Sequence, residues 1–325
     1  MNPALNQIRK ALSEELELYE KTFKRVMASN IRLVDRIAKY IVRHKGKGLR
    51  PLLVILSAKL AGKPTDNTYI VAALIEILHT ATLVHDDVVD DAHIRRNFPS
   101  INAIWRNKVS VLMGDYLLAK SLISATETGS LEIMNILAQT SKRLSKGELF
   151  QIEKSRRLNI TEEEYFQLIS DKTAALLSAC CELGAITVDA TERDRGALTS
   201  YGENLGQAFQ ITDDLLDYQS SAPVLGKPVG SDLKEKKITL PLILALDKAS
   251  CDEKKAIIRM IRKGVGNKEI KKIIAFCERY HGIQEAGIRT KALAERAKSV
   301  IAYLPESQEK ENAINFVDYI VERKK

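Results

Sequence analysis

Apolar residues recur at steps of three and four along most of this chain, and that period admits one class of fold. The runs are Ile31–Val42, Leu52–Leu60, Ile70–Val89, Val109–Ile123, Leu131–Ile152, Tyr165–Val188 and Leu198–Tyr218. No alternating run of useful length appears, and no Asn-Gly or Asp-Gly pair stands between two strand-like segments. The pattern predicts an all-α protein. Local signals agree with it: Thr161 with Glu164 forms a capping box, Ser100 follows Pro99 at the head of a run, and Pro51 suits a first helical position. The breaks are short except for Gln219–Lys237, a long connection of the kind that tends to be functional. After Asp247 the helices become more charged, as solvated amphipathic helices closing a bundle would. No boundary cuts the chain, so one domain spanning residues 1–325 is expected.

Two acidic clusters interrupt this greasy background. Asp86, Asp87, Asp90 and Asp91 end the run that contains His79, and Asp213, Asp214 and Asp217 lie within a later one. At four-residue spacing Asp86 and Asp90 share a helix face, as do Asp213 and Asp217. Like charges so close repel and need an opposite charge to offset them. A single acidic cluster is usually a solvated helix face. Two Asp-Asp-x-x-Asp clusters inside apolar helices instead suit hard divalent cations, with Mg²⁺ bridging from one or two carboxylates to substrate phosphates. Glu76–His79 and Glu278–His281 have the spacing of a di-iron bundle site, but neither pair accounts for six aspartates.

Lysine plus arginine is 50 against 42 aspartate plus glutamate, a formal charge of +8 that suits an anionic partner without choosing among nucleic acid, membrane and metabolite. Basic residues lie around the acidic clusters, and beside a carboxylate–Mg²⁺ site such residues fit a diphosphate: Lys47 and Arg50 at a glycine turn, Arg95 and Arg96 after the first cluster, Lys172 in an apolar run, and Lys227 and Lys237 after the second cluster. No Walker-type loop is present. The bases are not interleaved with aromatics, and the acidic clusters would repel nucleic-acid phosphates, so no nucleic-acid partner is expected. The four cysteines, Cys180, Cys181, Cys251 and Cys277, have no CxxC spacing and read as reduced thiols of a cytoplasmic protein. No stretch approaches an uncharged membrane span, so no integral membrane segment is expected.

In these residues the chain resembles the trans-prenyl diphosphate synthases, and among them it is most similar to the bacterial octaprenyl diphosphate synthases. The resemblance runs through nearly the whole chain. It is carried by Gly46 to Pro51, His79 with Asp86 to Asp90, Arg95-Arg96, Gly114-Asp115-Tyr116, Gly147-Glu148 and Lys172-Thr173-Ala174. It continues through Phe209 to Asp217 and Gly226-Lys227, and ends at Asp232 with Lys237 to Pro241. It implies the isoprenoid synthase fold, a single large helical bundle around a central cavity, working as a homodimer. It implies that Asp86, Asp87, Asp90, Asp213, Asp214 and Asp217 hold about three Mg²⁺ ions on an allylic diphosphate. Arg95, Lys172, Lys227 and Lys237 would touch that diphosphate. Lys47, Arg50, His79 and Arg96 would cradle isopentenyl diphosphate, and Thr173 and Gln210 would lie beside the reacting carbons.

The implied activity is repeated condensation of isopentenyl diphosphate onto an allylic primer such as farnesyl diphosphate. Ala81 and Thr82, one helical turn before Asp86, would line the product tunnel. Their small size favours a medium-to-long product, octaprenyl, for quinone side chains, with a floor near Ile123 to Leu137. A shorter-chain synthase, a catalytically silent partner subunit and a terpene cyclase are the alternatives. Where the family has Gly-Gly-Lys-Arg this chain has Lys45-Gly46-Lys47-Gly48, and Asn97 and Lys236 replace glycines; these bear on loop geometry, not on the ligand set. Arg323-Lys324-Lys325 could rest on an anionic membrane surface during product release, although a frayed end is the simpler reading.

Overall fold

The structure is a computed structural model that describes residues 3–44, 46–95, 98–219 and 230–323. It is all-α apart from one short antiparallel pair, Ile94–Arg95 with Phe98–Pro99. The predicted runs become the helices Arg32–Arg43, Leu49–Ala61, Asp66–Val89, Ile101–Glu127, Leu131–Arg157 and Glu192–Gln219. The sixth run divides into Glu162–Ile169 and Ala175–Ile186, joined by a π-helical turn, Ser170–Ala174. The capping box at Thr161 forms, and the Ser100 hydroxyl accepts the Ala103 N–H at 3.0 Å. Pro51 sits two residues inside its helix, which begins at Leu49 behind a left-handed Gly48.

Contacts divide the chain into two compact units. The first comprises Met1–Ser141, Leu176–Gly202 and Val300–Phe316; the second comprises Lys142–Ala175, Glu203–Ser299 and Val317–Lys325. The first unit is organised on the Asp66–Val89 helix, which is buried continuously from Val71 to His79. By length and composition this helix could cross a membrane, but 72% of the relevant window is buried within the protein, as in a core helix. Thr68 starts it by accepting the Thr65 N–H at 3.0 Å.

That helix stops within the first acidic cluster. Asp91 is left-handed (φ 49°), and the Ala92 N–H bonds back to the Asp87 carbonyl at 2.9 Å, a Schellman closure. Asp86 and Asp87 therefore occupy the last helical turn and Asp90 is the cap, with its N–H on the Asp86 carbonyl at 2.8 Å. The shared face expected for Asp86 and Asp90 is thus a helix end, where the negative pole of the helix dipole adds to the repulsion among the carboxylates.

The second unit is built on Leu240–Lys248, whose residues from Leu240 to Ala245 are all buried. Tyr165, Ile211, Ile273 and Ala286 belong to the same core cluster. A helix apolar on every side lies at a domain centre, not at a surface.

Candidate active site

In the first unit, the depth of the Asp66–Val89 helix carries polar groups inside. His79 is 9% and Asp87 2% exposed, and the Arg95 Nε donates to Asp87 Oδ1 at 2.6 Å. A cavity of about 80 Å³ is lined by Glu76, His79, Asp87 and Arg95 on its polar side and by Tyr40 and Phe98 on its aromatic side. Asp86 is half-buried and Asp90 is exposed. Lys47 and Arg50 do not line this cavity; Lys47 is exposed and Arg50 half-buried at the Gly48 turn. That turn is held by an unforeseen residue, Arg9, whose Nη1 donates to the Lys47 carbonyl at 2.7 Å.

In the second unit, five expected residues from distant parts of the sequence meet. A cavity of about 130 Å³ is lined by Lys172, Thr173, Gln210, Asp214 and Lys237, together with Tyr165 and Asp232. A chain of hydrogen bonds runs along its wall. Thr173 Oγ1 donates to Gln210 Oε1 at 2.7 Å, and Gln210 Nε2 donates to Asp214 Oδ1 at 2.8 Å. The buried Tyr165 hydroxyl donates to Asp214 Oδ2 at 2.6 Å. Burial first, and the Asp232 charge second, push the Asp214 carboxyl well above the usual carboxylate range. Lys172 Nζ pairs with Glu148 and donates to Gln151 Oε1 at 3.0 Å. Lys237 donates to Glu235 at 2.5 Å.

The π-helical turn is what aims Lys172 and Thr173. Turns of this kind recur at functional sites because they re-aim side chains within a helix. A buried carboxylate, Asp171, holds it: Arg143 Nε donates at 3.0 Å, Lys146 at 3.0 Å and Gln167 at 2.9 Å. Burial works to raise the Asp171 carboxyl, but these donors overcome it and keep it below the usual range. Two glycines let neighbouring helices close on the turn. A Cβ at Gly147 would lie 2.7 Å from the Lys172 nitrogen, and one at Gly206 would lie 2.4 Å from Ala174 Cα.

The other aspartates of the second cluster are held differently. Asp213 pairs with Arg323, so Arg323 is docked and not part of a frayed end. Asp217 accepts the backbone N–H groups of Gly230 and Ser231 at 3.1 Å on one oxygen and that of Asp232 at 3.2 Å on the other. It anchors the segment that brings Asp232 to the cavity. Ala81 is buried, and Thr82 donates its hydroxyl to the His79 carbonyl at 2.8 Å. Arg96, Asn97, Lys45, Lys227, Lys324 and Lys325 lie outside the described residues.

Among the described residues no three acidic, histidine or cysteine side chains converge as a protein-only metal cage. The donor set nevertheless fits Mg²⁺. It consists of aspartate oxygens supplied singly or in pairs, and such an ion completes its shell with water and phosphate.

Sequence reasoning missed Tyr165, Asp171 and Arg9, and it read Arg323 as a frayed or membrane-facing end, not as a partner of Asp213. Gly147 and Gly206 carried a signal: an otherwise unexplained helix glycine marks a close approach.

Comparison with known proteins agrees with this chemistry. The family model described as polyprenyl synthetase matches residues 31–277. The chain is 33% identical over 320 residues to an octaprenyl diphosphate synthase of Haemophilus influenzae, covering 98% of this chain and 97% of the relative. The crystal structure of a decaprenyl diphosphate synthase from Rhodobacter capsulatus superposes with a TM-score of 0.92 at 36% identity, over 99% of both chains. A polyprenyl synthase from Caulobacter crescentus, complexed with calcium and isoprenyl diphosphate, gives a TM-score of 0.92 at 32% identity, over 99% of this chain and 98% of that one. Other relatives are named for nonaprenyl, heptaprenyl and geranylgeranyl products.

Proposed function

The chain belongs to the polyprenyl synthetase family and is a trans-prenyl diphosphate synthase with the all-α isoprenoid synthase fold, and from that premise we propose that it makes octaprenyl diphosphate from farnesyl diphosphate and isopentenyl diphosphate. The observation that carries the reading is the hydrogen-bonded wall from Thr173 through Gln210 and Asp214 to Tyr165, with Lys172 and Lys237 around one cavity. A wall of this kind places a fixed polar edge beside apolar helix surface, as a site that must stabilise a leaving diphosphate and exclude water requires.

Lys172 and Lys237, with Arg95 and Lys227, would bind the allylic diphosphate and offset the charge that grows as its C–O bond breaks. Asp86, Asp87 and Asp90, and Asp213, Asp214 and Asp217, would hold Mg²⁺, which when bound draws charge from the departing diphosphate. Tyr165 and Gln210 orient Asp214 for that task. Lys47, Arg50, His79 and Arg96 would hold isopentenyl diphosphate so that its double bond attacks the allylic carbon. The new bond leaves a cationic adduct, which loses a proton to the released diphosphate. The Thr173 hydroxyl is bonded to Gln210 Oε1 and the Gln210 amide to Asp214, which fixes both side chains beside the cavity.

Octaprenyl length is supported by the octaprenyl synthases among the relatives and by the small Thr82 and the small, buried Ala81, four and five residues before Asp86. The chain would act as a homodimer in the cytoplasm, supplying a quinone side chain. The purified protein, given Mg²⁺ and both diphosphates, should yield an octaprenyl alcohol after dephosphorylation, read by mass spectrometry. A product of geranylgeranyl length would overturn the length assignment. No product from the protein alone, with product restored by a second subunit, would favour the arrangement that the name "heptaprenyl diphosphate synthase component 2" gives to one relative.

A further inference from the structure

Arg323 follows the Gln308–Glu322 helix, and its side chain is only 10% exposed. Three contacts fix it. Its guanidinium carbon lies 3.8 Å from the centroid of the Phe209 ring, its Nη2 donates to the Phe209 carbonyl at 3.1 Å, and the same nitrogen pairs with Asp213 Oδ1. Phe209 and Asp213 are one helical turn apart, so a single planar cation covers both residues on one helix face. Stacking combined with a directed hydrogen bond is a geometry that arginine satisfies and lysine does not.

Asp213 stands next to the buried Asp214, with Asp232 lining the same cavity as Asp214. A carboxylate only 29% exposed, with Asp232 in the same neighbourhood, needs a positive partner whether or not a metal is bound. We propose that Arg323 is an internal counter-ion for Asp213, holding that carboxylate when no divalent cation is present, and that a cation entering at Asp213 displaces the guanidinium. The inference rests on the reading of Asp213 as a cation ligand.

The consequence is competition. A ligand that must displace an internal partner binds more weakly by the factor with which that partner holds the site. A charge-assisted hydrogen bond corresponds to a factor of roughly ten to a hundred. The test uses the full chain without substrate and Mn²⁺ as the probe, with free Mn²⁺ followed by electron paramagnetic resonance. Arg323→Gln should bind Mn²⁺ about tenfold more tightly than wild type by that argument. It should also melt at a lower temperature in chelator, and the gap should narrow in saturating Mn²⁺. Arg323→Lys, which keeps the charge without the stack, should fall between the two. Unchanged or weaker Mn²⁺ binding by folded Arg323→Gln would overturn the proposal. Asp213→Asn separates the two levels of the claim: if it leaves Mn²⁺ binding intact, the reading of Asp213 as a ligand fails, and the role of Arg323 fails with it.

Discussion

Gly206→Ala should damage catalysis far more than stability. Gly206 lies one turn before Gln210 and two before Asp213 and Asp214, and an added Cβ would sit 2.4 Å from Ala174 Cα. Ordinary Cβ contacts begin at 3.4 Å, so the helix must retreat from the π-helical turn by about 1 Å. The nearest atom is backbone, and no side chain can swing away to absorb the strain. The same retreat would stretch the 2.7 Å bond between Thr173 and Gln210 to about 3.7 Å, beyond hydrogen-bonding range. Overpacking of this size costs about 1–3 kcal/mol, a few degrees of melting temperature in a chain this long. A misplacement of about 1 Å at a reacting centre can lower turnover by roughly a hundredfold. The assay pairs steady-state kinetics with thermal unfolding. Gly196→Ala is the control, since Gly196 lies on the same helix with nothing near its Cβ and should be neutral or slightly stabilising. Wild-type turnover in Gly206→Ala would refute the claim that this close approach sets the site.

Three further perturbations probe other parts of the argument. Ala81→Tyr should shorten the product, at a cost of about 1–3 kcal/mol because Ala81 is buried; an unchanged product in mass spectrometry would remove Ala81 from the tunnel wall. Asp214 carries a carboxyl raised by burial and by Asp232, so the folded chain keeps its proton at pH values where the unfolded chain has lost it. This group therefore lowers stability progressively as pH rises above the ordinary aspartate value. Asp214→Asn should melt like wild type near pH 4 and above it at neutral pH, and a gap that shrinks with rising pH would contradict this. Lys236 holds φ 59° where the family has glycine. Relief of left-handed strain, worth about 1–2 kcal/mol, is offset by a looser unfolded chain, worth about 0.4–1 kcal/mol, so Lys236→Gly should stabilise by about 1 kcal/mol or less. A clear loss in chemical denaturation would mean that the lysine side chain, not the backbone, holds the turn.

The helices were legible because burial on one face imposes a period that survives in the residue order, and the caps at Thr161 and Ser100 mark their starts. The π-helical turn was not, since Ser170–Ala174 is a short polar segment between apolar helical stretches and one wider turn shifts their phase too little to register. At Lys236 the bend forms around a non-glycine residue in the left-handed region, and the Lys237 N–H reaches the Asp232 carbonyl at 2.8 Å, so the turn bears strain instead of avoiding it. Arg323 was hidden for a different reason. A basic run at the end of a sequence looks the same whether it is solvated or docked, and its contact with Asp213 joins residues 110 positions apart.

Spacing located the aspartates but could not say what each carboxylate holds without a metal. Arg95 donates to Asp87, Tyr165 and Gln210 donate to Asp214, Arg323 pairs with Asp213, and backbone N–H groups bind Asp217. Each partner comes from the same compact unit as its aspartate. Deleting a carboxylate therefore does two things at once: it removes a candidate ligand and strands a donor. At Asp87 the stranded group is the Arg95 guanidinium, on a side chain 34% exposed, beside a buried carboxylate. Breaking such a pair by truncation can cost about 3–5 kcal/mol when it is buried, less here because Arg95 keeps water contact. Asp87→Asn retains an acceptor for Arg95 while removing the charge that a cation needs. The two variants should therefore part company: both lose turnover by orders of magnitude, but only Asp87→Ala should lose several degrees of melting temperature. Equal melting with turnover retained in Asp87→Asn would show that the Asp87 carboxylate serves the Arg95 contact and not a cation.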